Sequence, residues 1–197
     1  MNKEKILNIA FEKFTEKGYQ TSMGDIAKAI GIRKQSLYHY FKNKDELFLE
    51  VIHKEIREYF AQKKHEFSCL NELDIRDQLS LIFFSIIDYF EDVKKIRFWR
   101  WIMLNESNEI DMKISELIRE HEIRFYHILK DIFEKGVKNG DIIDEPVENL
   151  IQMYIVMIQG ILNGMLLYFT FNNRKKFINN IWNTYEKVYL NKNIREV

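Results

Sequence analysis

An all-α fold of about nine helices is predicted, with a small N-terminal three-helix unit (residues 1–46) ahead of a larger helical body (residues 47–197). Three observations predict it. Punctuation is sparse: seven glycines and a single proline, Pro146, in 197 residues leave too few turn signals for a many-stranded sheet. Apolar residues recur three and four apart through long charged stretches, the period of a helix with one buried side. The breaks fall where helices stop or start, at Gly18, Gly31, the pair Asn139-Gly140, and Pro146.

Composition narrows the classes further. With 46% hydrophobic residues the chain has enough apolar surface to bury a core. Thirty basic residues balance thirty acidic ones, so a nucleic-acid surface has to come from local clustering rather than overall charge. Cys69 is the only cysteine, which excludes an intrachain disulfide and fits a reducing compartment. Residues 1–14 carry charges at helical intervals and lack the continuous apolar run of a secretory signal. A cytoplasmic protein is expected.

The elements of the N-terminal unit follow in order. Ile6, Leu7, Ala10, Phe11 and Phe14 form the apolar stripe of helix one, which ends at Gly18, expected as a left-handed C-cap. Ser22 followed by Asp25 has the form of a capping box opening helix two, with Ile26, Ala27 and Ile30 inward and Gly31 closing it. After a tight turn, Lys34 to Phe41 is long enough for a two-turn helix three, with Leu37 and Phe41 packing back on helix two. Asn43 caps helix four, with Glu46 as its reciprocal partner. Two short helices joined by a glycine turn, the second one presenting polar residues, is the layout of a helix-turn-helix.

Charge placement agrees. Lys28, Arg33, Lys34, His39, Lys42 and Lys44 gather around helix three, whereas Asp25, Asp45 and Glu46 occupy first-turn positions that helix dipoles favour. Duplex DNA is held by phosphate contacts from basic and hydroxyl side chains and helix N-termini, and its sequence is read at base edges in the major groove. Lys34, Gln35 and Ser36 are placed for base edges and Tyr38, His39, Tyr40 and Lys44 for the backbone, with Arg33 before helix three and Thr21, Ser22 and Met23 at the start of helix two as further DNA-binding candidates.

From Thr21 to Phe48 the run TSMGDIAKAIGIRKQSLYHYFKNKDELF resembles the DNA-binding signature of the TetR (tetracycline repressor) family. The resemblance rests on Ile26-Ala27, Gly31, Tyr38-His39-Tyr40-Phe41 and Lys44-Asp45-Glu46-Leu47 at their spacing, and on Phe14, Gly18 and Tyr19 before them. It covers roughly the first quarter of the chain. Two positions depart: Arg33 stands where the family often has a capping serine, and Gln35 where a small residue is common. Both add long polar side chains near the groove and bear on which operator is read. The resemblance implies a DNA-binding head, a ligand-binding and dimerisation body, a palindromic double-stranded DNA operator, a homodimer, and repression as the usual mode.

In the body, helix four continues towards His65. Leu79 to Phe90 marks helix five, Ile96 to Leu104 helix six, and Ile114 to Ile132 helix seven. Two more follow Pro146, about Val147 to Phe171 and Lys175 to Leu190. Similar proteins pair their last two helices into a four-helix dimer seam, which here places Ile155, Ile158, Leu162, Met165, Phe169, Ile178, Trp182 and Tyr185 at the interface. Pockets for small hydrophobic or cationic effectors are lined by aromatics and Met, and Phe60, Phe83, Ile86, Tyr89, Phe90, Trp99, Met103, Phe125, Met153 and Met157 are the candidates; ordinary core packing uses the same residue types. Asp88 and Glu91 lie near Tyr89 and Trp99 in sequence, a combination that suits a cation.

Rival readings have less to hold. Leu150 to Phe171 approaches a membrane span in length and apolarity, but Gln152, Gln159 and Asn163 interrupt it and no second such segment exists; no membrane is expected. A helical ligand carrier with a vestigial helix-turn-helix is the other alternative. No phosphate loop, Gly-x-Ser-x-Gly elbow or His-Glu-x-x-His helix is present, so no enzyme, catalytic residue or cofactor is expected. His39, His53, His65, His121 and His127 lack the i, i+4 pairing of a metal helix, and no metal is expected.

Overall fold

A computed structural model describes residues 2–104, 110–167 and 173–190, the side chains at 103–104, 110–113, 115, 117 and 167 lying outside the description. Nine α-helices account for most of the described residues: α1 (Lys3–Lys17), α2 (Met23–Ile30), α3 (Lys34–Tyr38), α4 (Lys44–Glu66), α5 (Ile75–Tyr89), α6 (Val93–Leu104), α7 (Ile110–Asn139), α8 (Val147–Leu167) and α9 (Arg174–Tyr189). Among the described residues the sole strand-like pairing is a bridge between Ile142 and Leu190. The all-α architecture expected from the sequence is the one observed. The helices build two compact units, Met1–Gln62 with Asp92–Glu120, and Lys63–Glu91 with His121–Val197.

In the first unit the stripe of α1 is buried as its spacing predicts, with Ile6, Leu7, Ala10, Phe11 and Phe14 inside. Phe11 meets Phe98 edge-on at 5.0 Å and Phe14 meets Phe48 at 4.7 Å, so α6 completes the core of the head rather than standing apart from it. An ion pair from Lys94 to Glu12 crosses the same contact at the surface. Gly18 has positive φ, as a helix-ending glycine should, but its φ 58, ψ −151 is not the left-handed cap expected; a short 3-10 turn over Gly18–Gln20 follows instead. The capping box is formed: Ser22 accepts from the Asp25 N–H while the Asp25 carboxylate accepts from the Ser22 N–H at 3.1 Å. Such a cap contributes about 1 kcal/mol, and the Ser22 hydrogen bonds hold the Asp25 carboxyl below its ordinary value. Gly31 closes α2 in the left-handed region, its N–H donating to the Ala27 and Lys28 carbonyls.

Helix α3 is shorter than the two turns expected. It ends at Tyr38, and single turns, Tyr40 N–H to Leu37 O and Phe41 N–H to Leu37 O, carry the chain on to Asn43. Asn43 then caps α4 by accepting from the Glu46 N–H, and the Glu46 carboxylate reaches the N–H of Lys42, one residue before the position of a standard reciprocal cap.

Further along α4, Glu55 is buried with Lys54 at 3.6 Å and the charge of Lys95 also acting on it, and Lys54 lies closer to Glu58, at 2.7 Å. Burial raises the Glu55 carboxyl above its ordinary value. A raised carboxyl is protonated in both states at low pH and then loses its proton first in the unfolded chain, so its burden on stability appears as pH rises through the ordinary carboxylate range. Glu55→Gln is therefore expected to raise the melting midpoint by a few degrees near pH 8 and to leave it unchanged near pH 4. Thermal melts of both chains at the two pH values check this; a Gln variant less stable near pH 8 would show that the attraction of Lys54 and Lys95 outweighs the burial.

The second unit is held by aromatics. The Tyr154 hydroxyl of α8 donates to the Leu79 carbonyl of α5 at 2.5 Å, and Trp182 of α9 lies 5.2 Å from Phe83 and stacks on Tyr185 at 5.9 Å. Burial raises the hydroxyls of both Tyr154 and Tyr185. Lys63 is buried yet satisfied, its ammonium donating to the Glu66 carboxylate and to the Ser85 carbonyl and hydroxyl. A buried charge persists only with such partners.

This packing corrects the expected dimer seam. Ile158, Leu162 and Met165 of α8 and Ile178, Trp182 and Tyr185 of α9 are all buried inside the protomer, and Ile155 is half-buried. Phe169 lies outside the described residues. The outward stripe of α8 is a different one: Met153 at 48% and Val156 at 62% exposure, flanked by exposed Gln152, Gln159 and Gly160. Val147–Leu166 is also long and apolar enough to cross a membrane by length and composition alone.

Candidate nucleic-acid interface

Helix α3 has one buried anchor. Leu37 is fully buried, while Arg33, Lys34, Gln35, Tyr38 and His39 around it are exposed and Ser36 is half-buried. Tyr38 is 44% and Tyr40 39% exposed, whereas Phe11, Phe14, Phe41 and Phe48 of the same unit are buried. The Lys34 ammonium lies 5.8 Å above the Tyr38 ring, one turn on, which keeps the cation on the outer side. Arg33 occupies the N-cap position with no side-chain cap bond, as expected where a capping serine is replaced. The outer side is thus basic and aromatic, with its side chains free of the core.

The start of α2 is different. Thr21 is fully buried, its hydroxyl donating to the Lys13 carbonyl at 2.9 Å and its N–H to the Gly18 carbonyl, and Met23 is buried as well. Both belong to the head's core, which corrects their placement on the surface. Ser22 is exposed, although its hydroxyl serves the capping box.

Lys44, the first residue of α4, is half-buried. Its ammonium donates to the Tyr19 carbonyl at 2.7 Å and sits 3.7 Å above the Tyr19 ring, using one of three donors. Lys28 and Lys42 are exposed beside these residues and complete the basic surface. Tyr19 carries part of the family resemblance in the sequence, but its contact with Lys44, twenty-five residues on, is set by the fold rather than by local spacing.

The body candidates separate by unit. Phe60 is half-buried and Trp99 buried in the first, Trp99 meeting Tyr59 edge-on at 5.5 Å. In the second, Phe83, Ile86, Tyr89 and Phe90 are buried on or next to α5, and Phe125 and Met157 are half-buried. Met153 faces outward, and the Met103 side chain lies outside the description. Asp88 and Glu91 are exposed, so neither is a buried counter-charge. Among the described residues no group of three His, Cys, Asp or Glu could hold a metal.

Comparison with known proteins agrees with this geometry. Residues 6–51 match the family model described as bacterial regulatory proteins of the tetR family. The HTH-type transcriptional regulator QacR of Staphylococcus aureus is 31% identical over 144 residues, spanning 71% of this chain and 72% of that protein. The crystal structure of a transcriptional regulator from Saccharomonospora viridis in complex with choline superposes with a TM-score of 0.78 at 18% identity, covering 96% of this chain and 98% of that one. The regulator PfmR of Thermus thermophilus does so at 0.70 and 25% identity, covering 95% and 97%. These likenesses favour the regulator over the membrane-attached alternative. With an exposed reading helix on a glycine-turned, capped head, and a relative this similar over most of both chains, the protein belongs to the TetR family of bacterial DNA-binding transcription regulators.

Proposed function

We propose that this chain is a cytoplasmic, ligand-responsive repressor that binds a palindromic operator as a homodimer and is released by a small hydrophobic or cationic effector. The observation that carries the DNA-reading part is α3 itself, with Leu37 buried and Lys34, Gln35 and Tyr38 exposed around it. Residues 1–46 are assigned to reading and 47–197 to effector binding and dimerisation. Lys34, Gln35 and Ser36 reach base edges, where Gln suits adenine and Lys suits guanine. Arg33, Tyr38, His39, Tyr40 and Lys44 contact phosphates, with Ser22 at the start of α2.

The effector site is assigned to the second unit, among Phe83, Ile86, Tyr89, Phe90, Phe125 and Met157. A regulator of the same fold holds choline, which supports a cation as one class. Two heads on one dimer engage successive major grooves, so their separation must match about one helical turn or a multiple of it. An effector that prefers a body shape with wrongly spaced heads weakens binding by its differential affinity for the two shapes.

Fluorescence anisotropy with DNA from upstream of its own gene tests the reading. Lys44→Ala is expected to weaken binding to every sequence and lower the salt slope by about one, whereas Gln35→Ala mainly changes preference at one base position, by about 1–3 kcal/mol. Equal loss across all sequences on Gln35→Ala would remove it from the base edges. Absence of any DNA binding would remove the repressor reading.

A further inference from the structure

Lys44 stands where a lysine is least comfortable. As the first residue of α4 it is at the positive end of the helix dipole, and its long side chain would otherwise sample many rotamers. Instead its ammonium is fixed by the Tyr19 carbonyl at 2.7 Å and by the face of the Tyr19 ring at 3.7 Å. Tyr19 is held in turn. Its hydroxyl donates to the Asp45 carboxylate, its ring lies nearly parallel to Trp101 at 5.9 Å, and Phe48 meets its edge at 5.4 Å. Trp101 itself is packed edge-on against Phe48 at 4.7 Å, and its Nε1 lies 3.1 Å from where a side chain on Gly18 would begin. The order is therefore Trp101 of α6, then Tyr19 after α1, then Lys44 of α4, all within one compact unit.

We propose that Tyr19, backed by Trp101, is a positioning residue for DNA binding: its ring and carbonyl hold the Lys44 ammonium in place so that its remaining donors meet a phosphate oxygen. The proposal rests on the reading of Lys44 as a phosphate contact. Holding a flexible cation beforehand lowers the ordering that binding would otherwise require, so affinity rises without any new contact to DNA. The charge is unchanged whether or not Tyr19 is present, so the salt slope belongs to Lys44 and the affinity at fixed salt to the pair.

A double-mutant cycle separates positioning from plain structural support. Binding to a random-sequence duplex of about thirty base pairs is followed by anisotropy for Tyr19→Leu, Tyr19→Phe and Trp101→Leu, each with Lys44 and with Lys44→Ala. With Lys44 present, Tyr19→Leu and Trp101→Leu are expected to weaken binding about fivefold at unchanged salt slope, and Tyr19→Phe, which keeps the ring face, less than about twofold. In the Lys44→Ala background the same changes are expected to alter affinity by less than about twofold. Equal weakening in both backgrounds overturns the proposal, as does Tyr19→Phe binding as poorly as Tyr19→Leu. Should Trp101→Leu fail to fold, the Tyr19 pair alone decides. If Lys44→Ala by itself leaves affinity and slope unchanged, the phosphate reading of Lys44 fails and the positioning role with it; a normal Lys44 effect without coupling to Tyr19 sinks positioning alone.

Discussion

Replacing Gly18 by alanine is expected to destabilise the protein by about 3 kcal/mol and lower its melting midpoint by roughly 6–12 °C. Two independent causes act at this position. The backbone sits at φ 58, ψ −151, a region that side chains on L-residues essentially never enter. An added Cβ would also stand 3.1 Å from Trp101 Nε1 and 3.4 Å from its Cδ1, and that indole is pinned by Phe48 and Tyr19. Gly31 provides the control. Its φ 82, ψ 31 is the left-handed region, and nothing lies within 4 Å of a Cβ there, so Gly31→Asn is expected to cost no more than about 1 kcal/mol. Thermal melts of the two variants rank the positions. Gly18→Ala melting at or above Gly31→Asn would show that the corner relaxes freely and that Trp101 is not wedged against it.

The same corner marks how far the sequence was legible. Gly18 is recognisable as a helix stop because an apolar stripe ends four residues before it, and Ser22 with Asp25 is recognisable as a cap because both partners are local. These are interactions within one or two turns, where spacing along the chain is spacing in space. The exposure of Gln35 and Tyr38 around buried Leu37 is of the same kind. What Gly18 touches is Trp101, more than eighty residues on, and no local pattern encodes that. Thr21 and Met23 illustrate the converse error: a hydroxyl at a helix start has the form of a phosphate ligand, yet the Lys13 carbonyl takes it first. Glu55 lies four residues after buried Val51 on α4, so its place on the inward stripe is local in origin, whereas the charge of Lys95 that acts on it comes from forty residues on.

The body was legible as helices but not as faces. Helix α8 is apolar on nearly every side, so its periodicity carries no information about which stripe turns inward. Ile158, Leu162 and Met165 went to the protomer's own core, together with Tyr154, on the helix that packs against α5. Met153 and Val156, equally apolar, were left outside.

That assignment makes the outward stripe the surface on which a second copy can be tested. Val156→Glu is expected to convert a dimer to a monomer in sedimentation while changing the protomer's stability by no more than about 0.5 kcal/mol, because the side chain is 62% exposed and touches little of its own chain. If the homodimer proposed above closes over this stripe, a carboxylate there would have to be stripped of water on assembly. Gly160, one turn further, leaves open space above its backbone, which admits close approach of a partner helix. Trp182→Ala is the contrasting variant. Truncating a buried indole in the protomer's core costs about 3–5 kcal/mol, so it should lower the melting midpoint before it alters assembly. Operator binding discriminates further, since two linked heads gain an effective local concentration that one head lacks, and Val156→Glu should lose about a hundredfold or more in operator affinity. A Val156→Glu protein that still sediments as a dimer would place the seam elsewhere.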